Sequence, residues 1–372
     1  MKNKYKEIAE EILGFAGVQI NGSNPWDIQV HTEEFYRRAI TEGPLGIGES
    51  YMDGWWNIEK LDEFISRIIR AQLDEKIKRK NSVLLQLFIL KLYNLQSKQR
   101  AFIVGEKHYD LGNELFQNML DQRMNYSCAY WKDAVSLDEA QESKLDLICR
   151  KLFLQPGMRV LDIGCGWGAF GKYAAEKYKV EVVGITVSKE QVELGRKLCS
   201  GLPVEFRLID YRDLNEKFDR IVSVGMFEHV GDKNYRTFFE VANKCLDDDG
   251  LFLLHTIGRI LSFKALDPWT HKYIFPNAML PSSIQIDKAI ENLFVMEDWH
   301  NFGSDYDKTL MAWHDNFVQH WDEIKSQYSE RFFRMWKYYL LSSAASFRVR
   351  RTQLWQIVLS KKGMIGGYQS IR

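Results

Sequence analysis

The sequence predicts an α/β protein with a mostly parallel central sheet, preceded by a smaller and mostly helical N-terminal domain. From about Gly157 onward, short β-rich runs alternate with helical segments, which is typical of a parallel sheet covered by helices on both faces. A glycine-rich loop follows the first of these strands and leads directly into a helix. The first hundred residues instead place apolar side chains at helical spacing.

The N-terminal part is predicted to be a helical unit. The segments KYKEIAEEILGFAG, FYRRAI and LDEFISRIIRAQL repeat the helical period, and the first is expected to end at Gly17. The glycine-rich segment GPLGIGESYMDGWW is interpreted as a connector between them. A polar, charged stretch then predicts a linker at 97–107, which separates an N-terminal domain at 1–96 from a catalytic domain at 108–372.

The alternating region predicts five strands and the helices that connect them. The strands are MRVLDIG, VEVVGIT, VEFRLID, DRIVSVG and LFLLHTI. The helices are AFGKYAAEKY, SKEQVELGRKLC and YRTFFEVANKCL. Because ligands of such sheets bind outside the carboxyl ends of the strands, the functional residues are expected where these strands end.

Composition excludes several function classes. The chain has 50 basic and 50 acidic residues, so its net charge offers no general attraction to nucleic acid. The five cysteines lack any C-x-x-C spacing, and neither H-E-x-x-H, G-x-S-x-G nor a Walker loop occurs, so no disulfide framework and no metal site are expected. Acidic residues among the first twenty argue against a signal peptide, and the apolar run Val83–Leu95 is shorter than the roughly 20 residues that span a bilayer. We therefore expect a cytoplasmic protein, either soluble or bound at the membrane surface.

Two segments carry many basic residues and no acidic ones. Residues 76–100 contain seven basic residues, and residues 331–372 contain nine, several of them beside aromatic side chains. Cationic and aromatic residues together suit an anionic membrane surface. The alternative is that each segment is the solvated face of a helix that packs on a core.

The glycine loop predicts a nucleotide-type site. Asp162-Ile-Gly-Cys-Gly-Trp-Gly168 ends a strand and enters a helix, whose first N–H groups are free to bind a ligand. The G-x-G-x-G spacing differs from the dinucleotide fingerprint, and the acid at Asp162 suits a cationic amino-acid group better than a pyrophosphate. The predicted ligand is S-adenosylmethionine.

The ends of the next two strands supply further candidates. Thr186 stands where most Rossmann-like methyltransferases carry the acid that binds the ribose hydroxyls, and Gln191 can supply a donor and an acceptor nearby. Asp210 could accept a hydrogen bond from the adenine amine. Tyr211 could lie against the adenine ring or simply pack in the core.

Several long segments resemble the bacterial cyclopropane-fatty-acyl-phospholipid synthase family, which is related to the mycolic acid cyclopropane synthases. They are HYDLGNELF at 108–116, MNYSCAYWKD at 124–133, VGMFEHVG at 224–231 and FLLHTIG at 252–258, with GESYMDGWW, KYIFPN and DWHNFGSDYDKTLMAW. The resemblance covers almost the whole chain and includes threonine at position 186. Together with the loop, it implies a cofactor site made of Tyr126, Ser127, Asp162, Gly164, Gly166, Gly168, Thr186, Val187, Gln191, Asp210 and Tyr211.

The resemblance implies transfer of a methyl carbon from S-adenosylmethionine to a cis double bond of a phospholipid acyl chain, followed by closure of a cyclopropane ring. Tyr109 and Phe275 lie in segments resembling those that wall the family's acyl pocket. In the family the base that removes a proton from the carbocation is a bound bicarbonate. The matching residues are Cys128, Glu228, His255, Ile257 and Tyr306.

The resemblance also implies a homodimer with unsaturated phospholipids as partners. Together with the basic segments, it predicts a position at the inner face of the membrane. Two other functions stay open. The first is a fatty-acyl methyltransferase that leaves a methyl branch instead of a ring, and the second is a lipid-binding protein that has kept the fold without turnover.

Overall fold

The structure is a computed structural model, which describes residues 2–73, 112–262 and 266–372. The chain forms two compact units: unit 1 is Met1–Met119, Ala265–Ala278 and Leu310–Arg351, and unit 2 is Leu120–Lys264, Met279–Thr309 and Thr352–Arg372. The units alternate along the chain, whereas the sequence predicted one continuous catalytic part from residue 108. The linker at 97–107 and the basic segment 76–100 lie outside the described residues and stay predictions.

Unit 1 is mostly helical, as expected for the N-terminal part of the chain. Its helices are α1 (Lys2–Gly14), α2 (Glu34–Glu42), α3 (Pro44–Met52), α4 (Leu61–Arg70), α5 (Asn113–Met119), α10 (Pro268–Tyr273), α13 (Trp321–Ile324) and α14 (Glu330–Arg348). Two short strands, β1 (Gln29–Val30) and β2 (Trp56–Asn57), pair antiparallel. Helix α12 (Asp305–Gln319) starts in unit 2 and continues in unit 1.

The predicted connector between α2 and α4 is wrong, because it contains helix α3. Pro44 begins this helix, where its missing N–H needs no partner. A side chain at Gly48 would lie 2.3 Å from the ring of Trp269, and one at Gly46 would lie 2.4 Å from the carbonyl oxygen of Arg38. These glycines therefore permit close packing of a helix instead of forming a flexible link.

The N-terminal helices share one core with α14. Trp56 is fully buried, with the rings of Tyr51 and Phe64 at 5.0 and 5.7 Å, and α14 packs on α3 and α4. Arg334 of α14 donates hydrogen bonds to the carbonyl oxygens of Tyr51 and Trp56. Removal of the N-terminal residues would leave these groups of unit 1 without their partners.

The structure favours the core-packing alternative for much of the basic segment 331–372. Trp336, Tyr338, Tyr339, Phe347 and Trp355 are buried. Its ion pairs are Arg331–Asp53, Arg348–Asp62, Lys361–Asp248, Lys362–Asp248 and Arg372–Asp298. A basic residue that is already paired offers less attraction to an anionic surface, so this segment supports membrane binding less than its sequence indicated.

Unit 2 contains the predicted parallel sheet, which confirms the α/β fold class. Its strands are β3 (Arg159–Ile163), β4 (Glu181–Thr186), β5 (Val204–Leu208), β6 (Phe218–Val224), β7 (Leu246–Arg259), β8 (Val295–Asn301) and β9 (Thr352–Ser360), in the order β5-β4-β3-β6-β7-β9-β8. Strands β3 to β7 correspond to the five predicted strands and run parallel. The sequence missed β8 and β9, which pair antiparallel at one edge.

Helices cover both faces of this sheet. They are α6 (Leu137–Lys151), α7 (Ala169–Tyr178), α8 (Lys189–Leu198), α9 (Tyr235–Cys245) and α11 (Ser283–Ile290). One core contains Phe227, Phe238 and Phe252, and a second contains Ile148, Phe170 and Val358. After β3 the chain adds β4 and β5 on one side of the sheet, and it then returns to add β6 and β7 on the other side of β3. Ligands of such sheets bind at the carboxyl ends of the strands, where the strand order changes direction in this way.

Candidate active site

The glycine loop lies at this carboxyl edge and leaves one position open. Gly164, Gly166 and Gly168 all have positive φ angles, of 83°, 55° and 89°. A side chain at Gly164 would lie 2.5 Å from the Cβ of Met226, and one at Gly168 would lie 2.3 Å from the ring of Phe206. At Gly166 a side chain would meet nothing within 4 Å among the described residues. Gly166 is therefore the glycine whose surroundings have room for a ligand, while the other two are fixed by packing.

We expect Gly166→Val to weaken binding of S-adenosylmethionine by at least about tenfold, equivalent to about 1.4 kcal/mol, because its side chain fills the open space. A valine at position 166 must also adopt the left-handed backbone conformation of Gly166, which should lower the free energy of unfolding by about 1–2 kcal/mol. Gly201→Val is the matched control and should leave the affinity unchanged, since Gly201 has a φ of 82° and a side chain there would meet nothing within 4 Å among the described residues. Calorimetric titration and urea unfolding measure the two effects. Unchanged affinity in folded Gly166→Val would remove this loop from the cofactor site.

Asp162 is a buried acid on β3, directly before the glycine loop. Burial raises its pKa to about 7, and the nearby Lys144 acts in the opposite direction. A cationic ligand group beside this carboxylate would favour its ionised form. The position thus fits the cationic amino-acid group predicted from the sequence.

Lys144 is a site residue that the sequence analysis missed. It lies on α6, is almost fully buried, and its Nζ donates to Asn125 Oδ1 at 2.8 Å and to Ser127 Oγ at 3.0 Å. Burial lowers the pKa of Lys144 to about 8. One turn earlier on α6, Gln141 Nε2 donates to the carbonyl oxygen of Ser127 at 2.9 Å. These two side chains hold the loop that carries Tyr126, Ser127 and Cys128, yet their sequence is that of an ordinary polar helix face.

The structure brings Thr186 and Gln191 together. Thr186 Oγ1 donates to Gln191 Oε1 at 2.7 Å, which leaves the amide N–H groups of Gln191 as donors for a ligand. Val187, the next residue after the strand, has 75% of its surface exposed. An exposed aliphatic side chain beside this polar pair fits the expected cofactor contact.

Asp210 and Tyr211 have intramolecular partners. Asp210 accepts two side-chain hydrogen bonds from Arg212, both at 2.8 Å. Tyr211 packs edge to face on Phe238 at 5.4 Å, which agrees with the core-packing alternative for this residue. Their predicted contacts with adenine stay predictions.

Glu228 and His255 lie on neighbouring segments at the same edge of the sheet. Glu228 follows β6, and its Oε1 accepts a hydrogen bond from the backbone N–H of Ile257 at 2.7 Å. His255 lies on β7, and its carbonyl oxygen accepts from the N–H of Gly225, the residue after β6. Both side chains are buried, and Glu228 Oε2 and His255 Nε2 have no hydrogen-bond partner among the described residues.

Burial determines the charge of both groups. It raises the pKa of Glu228 to about 7, and it holds the pKa of His255 well below the usual range, with contributions from Lys144 and Lys151. His255 is therefore neutral at physiological pH. The N–H of Ile257 donates to Glu228, so Ile257 orients this carboxylate.

Hydrogen bonds hold the loop that carries Cys128 on α12, the helix that carries Tyr306. Thr309 Oγ1 accepts from the N–H of Ala129, and Asp305 Oδ2 accepts from the N–H of Trp131. These bonds join the loop that carries Cys128 to the first turn of α12, where Tyr306 is buried. Burial raises the pKa of the Cys128 thiol, so it is protonated and donates to the carbonyl oxygen of Ala129 at 3.2 Å.

Of the two residues predicted to wall the acyl pocket, the structure describes Phe275. Phe275 belongs to unit 1 and packs edge to face on Tyr339 at 5.6 Å. Tyr109 lies outside the described residues. Their roles in a pocket stay predictions.

Comparisons with known proteins point in one direction. Residues 96–357 match the protein family described as mycolic acid cyclopropane synthetase. Cyclopropane-fatty-acyl-phospholipid synthase of Escherichia coli (strain K12) is 56% identical over 359 residues, which cover 96% of this chain and 94% of that protein. Two solved structures are similar: cyclopropane synthase MmaA2 from Mycobacterium tuberculosis, with a TM-score of 0.63, and mycolic acid cyclopropane synthase CmaA1 complexed with SAH and CTAB, with a TM-score of 0.64. Each is 35% identical to this chain, and each match covers 68% of this chain and 96% of the solved chain.

Proposed function

The chain belongs to the mycolic acid cyclopropane synthetase family and is an S-adenosylmethionine-dependent methyltransferase, and from this premise we propose that it makes cyclopropane rings in phospholipid acyl chains. The observation that carries the proposal is the pair of buried polar atoms without partners among the described residues, Glu228 Oε2 and His255 Nε2, at the sheet edge where the glycine loop has one open position. Identity to a phospholipid synthase over nearly the full chain supports the substrate class.

The proposed reaction adds one carbon to a cis double bond. S-adenosylmethionine supplies this carbon as a methyl group and leaves as S-adenosylhomocysteine. One C–C bond forms in the transfer, and a second forms as the methyl carbon loses a proton and the ring closes. Because an alkene is a weak nucleophile, holding both reactants in one orientation must supply much of the rate, and proximity can contribute about 7–11 kcal/mol.

The residues present fit a bound bicarbonate, which we propose as part of this site. Ionised Glu228 offers an acceptor for a hydroxyl group, and neutral His255 can donate to an oxygen from Nε2. A ligand with one hydroxyl and further oxygen acceptors would satisfy both buried atoms, which are otherwise costly to leave unpaired. When bound, bicarbonate would supply the base for the proton that the methyl carbon loses. Cys128 precedes Ala129 and Tyr306 follows Asp305, and these two neighbours take part in the hydrogen bonds between the loop and α12. Cys128 and Tyr306 complete the proposed set of residues around the bicarbonate.

Location and assembly are further parts of the proposal. Within residues 2–73, 112–262 and 266–372, no helix combines the length and the apolar character needed to cross a membrane. We propose binding at the inner membrane face, for which the acid-free segment 76–100 offers attraction of about 1 kcal/mol per basic residue near an anionic surface. A homodimer is proposed on the family resemblance.

The test uses full-length protein, S-adenosylmethionine labelled in its methyl group and vesicles of unsaturated anionic phospholipid. We expect label in the lipid and high-field ring protons in its proton NMR spectrum. Ring formation and methylene addition give equal masses, so NMR separates them where mass does not. Label without ring protons would show the branch-forming methyltransferase, and lipid without label would show the non-catalytic lipid-binding protein.

High salt should weaken vesicle binding, because charges are screened beyond about 10 Å at 0.1 M.

A further inference from the structure

Gln356 is a buried residue on β9 that neither the sequence nor the family resemblance indicated. In the pairing of β7 with β9 it stands directly opposite His255, so both side chains point to the same face of the sheet. Gln356 Nε2 lies 3.3 Å from His255 Nδ1, and both residues are almost fully buried. Gln356 Oε1 has no hydrogen-bond partner among the described residues. The amide of Gln356 is therefore oriented by its contact with His255.

Because the amide nitrogen of Gln356 faces Nδ1, this contact favours one position for the proton of His255. An amide nitrogen can only donate, so Nδ1 must accept. A neutral imidazole has a single N–H, and an accepting Nδ1 places it on Nε2. His255 Nε2 is the atom without a partner among the described residues, and it therefore presents a donor.

The opposite tautomer would change what the site can bind. With its proton on Nδ1, His255 would present a lone pair at Nε2, and ionised Glu228 also presents only lone pairs at Oε2. Two acceptors would repel the oxygen atoms of an anion. A donor at His255 beside an acceptor at Glu228 instead suits an oxyanion that carries one hydroxyl group.

We propose that Gln356 is a positioning residue that fixes His255 with its proton on Nε2, so that His255 donates and Glu228 accepts in binding one hydroxyl-bearing oxyanion. This inference rests on the proposed function for the identity of that anion, bicarbonate. The tautomer itself can be measured without the anion, and its test is therefore independent of the reaction.

The experiment measures the tautomer by long-range ¹H–¹⁵N correlation NMR of the full chain labelled with ¹⁵N-histidine. The His255 signals are assigned by their loss in His255→Asn. In the unmodified protein we expect the proton on Nε2, without added bicarbonate. A proton on Nδ1 would mean that the amide of Gln356 accepts instead of donating, and it would overturn the proposal even if no variant of Gln356 folds.

Gln356→Met keeps the length of the side chain and removes the donor. We expect a mixture of both tautomers, an unchanged affinity for S-adenosylmethionine and a raised KM for bicarbonate. Turnover should fall by roughly 10- to 100-fold, the size of the loss when a metal-binding histidine loses its hydrogen-bond partner. The matched control is Gln353→Met on the same strand, where the buried Gln353 accepts a hydrogen bond from Asn301 at 2.8 Å. It should leave the tautomer unchanged.

The outcomes separate the two proposals. A folded Gln356→Met variant with the tautomer and the bicarbonate KM of the unmodified protein overturns the role of Gln356. If the tautomer changes as expected while bicarbonate depletion leaves the turnover of the unmodified protein unchanged, the positioning of His255 stands and bicarbonate is excluded as the anion.

Discussion

Glu228→Gln is expected to bind S-adenosylmethionine normally and to lose turnover by a factor on the order of 10² or more, the usual scale for losing acid–base assistance. The amide oxygen of the new glutamine can keep the hydrogen bond from Ile257 N–H, which now holds Glu228 Oε1 at 2.7 Å. The NH₂ group then replaces Oε2, so a donor stands where the site had an acceptor. Single-turnover assays and calorimetric titration measure turnover and cofactor affinity separately.

Glu240→Gln is the matched control, because Glu240 is an exposed residue of α9 that pairs with Arg236. It should leave both quantities unchanged. A fully active Glu228→Gln variant would assign the proton transfer to other residues. Loss of cofactor binding in Glu228→Gln would place this residue in the cofactor site instead.

The pH profile gives an independent test of the same carboxyl group. Burial raises the pKa of Glu228 from its ordinary 4.5 to about 7, so the acceptor form predominates only above that pH. At saturating cofactor and constant bicarbonate, turnover should rise as the pH increases through about 7, and Glu228→Gln should lack this rise. Stability should change in the opposite sense: the raised pKa favours the folded state fully below pH 4.5, and this contribution is lost as the pH rises through about 7.

Lys144→Met is expected to destabilise the protein by about 1–3 kcal/mol, the usual cost of leaving buried hydrogen-bonding groups without their partner. Asn125 Oδ1 and Ser127 Oγ each lose a charged donor, and Asp162 loses the cation that opposes its protonation. The pKa of Asp162 should then rise above about 7, so cofactor affinity at neutral pH should fall as well. Urea unfolding and calorimetric titration measure both effects.

A second pH distinguishes electrostatics from loss of structure. If Asp162 is protonated in Lys144→Met, cofactor affinity should partly recover at about pH 9, where a carboxyl with a moderately raised pKa is ionised. No recovery would mean that the displaced Ser127 loop causes the loss. The control Lys197→Met changes an exposed lysine of α8 and should alter neither stability nor affinity.

The sequence by itself determined the parallel sheet, its glycine loop and the position of Asp162, Glu228 and His255 toward one edge of that sheet. Each of these features depends on local information. Strand and helix periods are visible over a few residues, and a left-handed turn favours glycine. Because parallel strands end at one edge, residues that follow different strands meet there without any knowledge of their contacts.

The tertiary structure alone decided which polar side chains lie inside the protein and what they bind. Lys144 and Gln141 occupy a helix face that looks solvent-exposed in the sequence, and Gln356 lies on a strand that the sequence did not predict. The basic residues of 331–372 likewise gave no sign that Arg348 pairs with Asp62 or Arg372 with Asp298. The physical reason is that a buried polar group is stable only with a partner, and such partners lie far away in the sequence: His255 and Gln356 are 101 residues apart, yet they meet across one pair of strands.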